Sequence, residues 1–154
     1  MIRVCQAVAV AGGVLTLALA LLVMASVLGR WLWGQPVPGD FEFVQMGTAL
    51  AIFAFLPLAQ ARGGNVIVDS FTTRLPPRFR NTIDAAWNLV YAATMATIAV
   101  SMVRGTLENR DNHTATMVLQ LPVWPALAVS TALLILLAAV AAWTALARPK
   151  GPGA

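Results

Sequence analysis

Acid–base, nucleophilic or metal chemistry would have to come from very few side chains in this sequence: six carboxylates, one histidine and one cysteine. The carboxylates are Asp40, Glu42, Asp69, Asp84, Glu108 and Asp111. His113 stands near Glu108, Arg110 and Asp111 but has no companion Cys or His at metal-ligand spacing, so it reads as a solvated loop residue. Cys5 is alone, which excludes an intramolecular disulfide and quinone-linked dithiol chemistry; it reads as a small apolar residue. Intramembrane haem commonly requires paired histidine ligands, and nucleotide binding a Gly-rich loop with its lysine. Neither pattern is present. No catalytic residue, metal or cofactor is expected in this chain.

The elements around these residues explain the scarcity. Four apolar runs, Ala7–Leu28, Phe41–Ala59, Ile83–Val103 and Pro122–Leu146, carry charge only at their outermost edges, Glu42 and Asp84. A bilayer core takes about 20 apolar residues per helical crossing, so each run is, or nearly is, one span. The chain is 59% hydrophobic and 10% charged, where soluble domains carry about 25% charge. The expected fold is an all-α integral membrane protein, a single four-helix transmembrane domain over residues 1–154. An exporter trading a proton for a cation, or an intramembrane enzyme, needs buried ionisable groups. The spans offer none away from their edges.

Arg3 followed by an apolar run resembles a secretory signal, but the run continues through Leu21 to Leu28, beyond the length of a signal's apolar core. It reads as a retained first span. The flanking charges then orient the chain. Arg3, Arg62, Arg74, Arg78, Arg80, Arg148 and Lys150 share one side; Arg30, Arg104 and Arg110 share the other. Short loops rich in Lys and Arg stay in the cytoplasm, so both termini are expected there. The net charge of +4 is thus assigned to topology, not to nucleic acid. Trp31, Trp33, Trp87, Trp124 and Trp143 all lie near expected interfaces, where an amphipathic indole is best placed.

The connections carry the remaining information. The loop Gly29–Asp40 is punctuated by Gly34, Pro36, Pro38 and Gly39 and reads as a structured turn. Arg30 and Glu42 flank it, either as an ion pair across the hairpin mouth or as two separately solvated charges. In the loop 60–82, Ile67, Val68, Phe71 and Leu75 fall on one helical face, which predicts a short amphipathic interfacial helix ended by Pro76-Pro77. Asp69 would sit in its first turn, where a negative charge suits the helix dipole. The loop 104–121 is expected to be external and of mixed charge. Within the spans, Ala9 and Gly13 offer a small-residue contact, and Tyr91, Thr94, Thr97 and Ser101 form a weakly polar stripe suited to helix packing or a partner.

Three stretches together resemble the small permease subunit (the four-helix Q type) of tripartite ATP-independent periplasmic (TRAP) transporters. They are Arg30 to Glu42, the run Gly64-Asn65-Val66-Ile67-Val68-Asp69, and Thr116 to Trp124 ending Leu121-Pro122-Val123-Trp124. Asn65 departs from the pattern, standing where many members have histidine. The resemblance implies a non-catalytic subunit of the bacterial inner membrane, bracing a large permease subunit. That partner would perform sodium-coupled symport of an organic acid delivered by a periplasmic solute-binding protein. Arg30, Asp40, Glu42, Asp69, Pro122 and Trp124 become the structural or partner-contact candidates, with Glu108, Arg110 and Asp111 as further external-loop contacts. Two other readings compete: a self-sufficient four-helix exporter or channel, and a small membrane enzyme using Arg62, Asp69, Arg74 and Arg78.

Overall fold

The computed structural model describes residues 2–62 and 77–147, with side chains over 2–62 and 86–145. These residues form four helices: α1 (Ile2–Trp33), α2 (Asp40–Ala61), α3 (Pro77–Asp111) and α4 (Trp124–Ala147). Each contains a stretch long and apolar enough to cross a membrane. Extended pairing among the described residues is limited to one isolated bridge, Ala115 with Pro122. Asp69 and the amphipathic helix expected over 66–75 lie outside the described residues.

The helices outrun the apolar runs that announce them. The chain stays helical past Leu28 to Trp33, and past Val103 to Asp111, through Gly29 and Gly105, because a nucleated helix gains one hydrogen bond for each residue added until a cap stops it. Arg30 and Arg104 therefore belong to helices, not to the loops expected for them. Each long helix then stops at a residue with positive φ. Gly34 (φ 72°) ends α1, its N–H returning to the Arg30 carbonyl at 3.1 Å. His113 (φ 49°) ends α3: its own N–H reaches Arg110 O, and the Thr114 N–H reaches Asn109 O. That pair of bonds is the Schellman arrangement, which gives His113 a backbone role in capping.

Helix packing follows the order α1, α2, α4, α3, with no other helix pair in contact among the described residues. The result is an open row, not a closed bundle. The buried share of the apolar windows agrees: 28% in α2 and 33% in α4, against 11% in each edge helix. Small residues set the α1–α2 seam. A Cβ on Gly12 would stand 2.9 Å from the Ala54 Cβ, and one on Gly47 would stand 2.7 Å from a Leu19 methyl carbon. Gly13 has open space around it, so the close contact uses Ala9 and Gly12 where Ala9 and Gly13 were expected. The heavier core lies on α4, where Leu134 and Leu137 pack with Ala99 of α3, and Phe53 and Leu56 of α2 close over them. A second cluster gathers Cys5, Ala61 and Val140 near the chain termini.

Candidate functional site

Asp40 opens α2 only because the preceding turn doubles back along α1. Gly39, before it, has φ 74°, a conformation that costs other residues about 1–2 kcal/mol. The turn runs antiparallel to the last turns of α1, laying the Gln35 carbonyl against Gly29. The buried Ser26 hydroxyl donates to the Asp40 carboxylate and accepts the Val37 N–H at 3.2 Å. The other Asp40 oxygen accepts the Phe41 N–H at 2.7 Å. Asp40 thus anchors the first hairpin from within.

Glu42, half a turn on, reaches across the row. Its carboxylate accepts the backbone N–H of Val118 at 2.6 Å and of Leu119 at 3.0 Å. Those residues belong to the tip of a narrow hairpin between α3 and α4. Its walls are tied by Thr116 N–H to Leu121 O at 2.9 Å and Val123 N–H to Thr114 O at 3.1 Å. The Leu121 N–H adds a bond to the Thr116 hydroxyl, 3.0 Å. Leu119 presses on Gly39: a Cβ there would lie 2.2 Å from its methyl carbon. The second loop is therefore clamped onto the N-terminus of α2, and Glu42 is 6% exposed as a result.

This settles the two readings for Arg30 and Glu42. Both Glu42 oxygens are taken by loop amides, and Arg30 is an exposed residue in the last turn of α1. The clamp replaces the ion pair because amides presented by a folded-back loop solvate a carboxylate without a second buried charge. Pro122 lies in the hairpin wall, in the bridge with Ala115. Trp124 begins α4, with the Arg110 guanidinium 5.7 Å from its ring centroid, within cation–π range. Asp40, Glu42, Pro122 and Trp124 thus converge on one end of the row.

The opposite end carries a polar junction that the apolar pattern hides. Gln60, read from sequence as the first loop residue, is helical and buried near the end of α2. Its side-chain amide donates to the Thr144 hydroxyl of α4 at 3.1 Å and to Asn88 Oδ1 of α3 at 3.4 Å. Three helices meet on one side chain. At about 1.5 Å per residue, Glu42 and Gln60 lie about 27 Å apart along α2, close to the roughly 30 Å of a bilayer core. These polar ties sit near the two ends of α2, and the packing between them is largely apolar, with one hydroxyl bond, Thr106 to Thr131 at 3.3 Å, joining α3 to α4.

Residues 19–148 match the family model described as "Tripartite ATP-independent periplasmic transporters, DctQ component". No curated protein and no solved structure matches the chain. The match covers most of the sequence, including both hairpin-end loops and the junction at Gln60. With four membrane-length helices behind it, the chain belongs to the DctQ family as a small multi-pass membrane subunit of a TRAP transporter.

Proposed function

We propose that this subunit is a non-catalytic brace for a large permease subunit in the bacterial inner membrane. The assembled system takes up an organic acid handed over by a periplasmic solute-binding protein, and sodium coupling resides in the large subunit. Both termini face the cytoplasm, which puts the Glu42 clamp and the Arg110–Trp124 contact at the periplasmic face.

The observation that carries this reading is the open row. Its helices present long uncovered apolar faces, while Asp40, Glu42, Gln60 and Thr144 are each engaged in joining one segment of the chain to another. A brace needs apolar area and fixed ends, and this arrangement supplies both. The charge distribution supports the orientation, with seven of the ten Arg and Lys residues on the side of the termini.

Co-purification tests the assignment. An affinity tag on this subunit, in native membranes solubilised with mild detergent, is expected to retain a much larger multi-span membrane protein in constant proportion. Recovery of the tagged chain alone, together with solute transport by that chain alone in liposomes, would favour a self-sufficient carrier.

A further inference from the structure

A groove of about 370 Å³ runs along one side of the α1–α2 seam, walled by Leu19, Ala20 and Val23 of α1 and by Thr48, Ile52 and Phe55 of α2. It extends from Thr16 to Val23 on α1 and from Val44 to Phe55 on α2, about 10 and 17 Å at about 1.5 Å per residue. Two hydroxyls interrupt the apolar wall, and that of Thr16 is returned to the Gly12 carbonyl at 2.9 Å. Three- and four-residue steps carry the same line of α1 from Val23 through Val27 to Arg30, both exposed. Arg30 lies in the last turn, beside Trp31 and Trp33, which are 80% and 77% exposed. Tryptophan and arginine together at a helix end suit the headgroup level of a bilayer. Side chains of a helix lean toward its N-terminus, which directs Arg30 back toward the groove.

We propose that this groove holds one acyl chain of a single phospholipid, whose phosphate is bound by Arg30. The lipid belongs to the leaflet on the Glu42 side of the row. Its site is complete within this chain and does not depend on the bracing role.

Size selects a hydrocarbon chain over a helix. Spread along its length, the groove has a mean cross-section of roughly 20–35 Å², whereas a helix about 10 Å across fills close to 80 Å². A helix of a partner or of a second copy would bridge the groove and leave a void beneath it, losing dispersion contacts along both walls. Depth selects a lipid of one leaflet. The groove begins at Val44, two residues past Glu42, and its 17 Å is close to half of the roughly 30 Å of a bilayer core. Charge selects the phosphate. The Arg30 guanidinium forms no ion pair or hydrogen bond among the described residues. Both carboxylates at this end of α2 are already engaged, Asp40 by Ser26 and the Phe41 N–H, Glu42 by Val118 and Leu119. A guanidinium binds phosphate through two parallel hydrogen bonds. Residues 63–76 and 148–154 join the described helices at the opposite, Gln60 end.

Native mass spectrometry tests this on the subunit purified from native membranes in mild detergent, with whatever partners it retains. Ala20→Trp and Thr48→Trp obstruct the groove from opposite walls, so misfolding of one leaves the other to decide. Leu17→Trp adds the same bulk to α1 outside the groove, at an exposed position. The unaltered chain and Leu17→Trp are expected to carry one phospholipid more than either obstructed variant. Arg30→Gln is expected to lose that lipid at a lower detergent concentration, and Arg30→Lys to retain it. Equal lipid counts in the unaltered and obstructed chains, equal loss in Leu17→Trp, or an unchanged detergent profile in Arg30→Gln would overturn the proposal. Dissociation of a protein partner from the obstructed variants, with no change in lipid, would overturn it by making the groove a protein contact.

Discussion

Glu42 binds a loop 76 and 77 residues further along the chain through two backbone amides, and this decides what its substitution should do. In Glu42→Gln, one amide oxygen can still accept, but the –NH2 group faces a donor. Hydrogen exchange at Val118 and Leu119 is expected to accelerate, while the Thr116 amide, bonded within the hairpin, keeps its protection. Unchanged exchange at all three would mean the carboxylate is not the clamp. Gly39→Ala is expected to cost about 1–2 kcal/mol for the left-handed backbone alone, with a further penalty from Leu119. Because that second part needs the Leu119 side chain, Gly39→Ala should destabilise less in a Leu119→Ala background. Additive effects in thermal unfolding of the detergent-solubilised protein would contradict the contact. The sequence flagged Glu42 as an acid at a span edge and left open whether it pairs with Arg30 or is solvated separately. Backbone amides are carried by nearly every residue, so only a folded loop reveals which of them converge. Asp40 was legible in the same partial way: its acidity was visible, its partner Ser26 was hidden among apolar neighbours.

At the scale of elements, hydropathy located the four described helices but misjudged the ends. Apolarity reports where lipid contact is required, whereas helix continuation depends on propensity and capping, so Trp33 and Asp111 became helical ends only through Gly34 and His113. The same limit concealed Gln60, which looks like the first polar residue of a loop and is instead the shared partner of Asn88 and Thr144. Gln60→Leu removes these bonds at similar volume. Side-chain hydrogen bonds between membrane helices average about 0.6 kcal/mol, with a maximum near 1.7, and the loss of stability is expected within that range. A change indistinguishable from zero, or a gain, would show that the junction does not hold α2 to α3 and α4. The small-residue contact of α1 was expected at the correct height but one position off. Gly12 and Gly13 are equivalent by composition, and which one faces a neighbour depends on where α2 lies.

For the whole molecule, the two hairpins α1–α2 and α3–α4 were implied by short loops, but the joining of α2 to α4 was not. In lipid, apolarity does not distinguish a packed face from a bare one, so the apolar pattern cannot say whether four helices close into a bundle or stand in a row. The open row α1–α2–α4–α3 leaves two edge helices to be covered from outside and fixes the inner pair with polar ties near both ends of α2. That build suits the bracing role proposed above. Among the described residues, Ser26, Asp40, Glu42, Gln60 and Thr144 are engaged in holding this shape. The bracing role is tested most directly by solute uptake in proteoliposomes containing the large permease subunit, with its binding protein and bound organic acid supplied outside. Uptake is predicted to require this subunit, and liposomes holding this subunit alone are predicted to take up nothing. Full uptake by the large subunit without it, or transport by this subunit alone, would contradict the role.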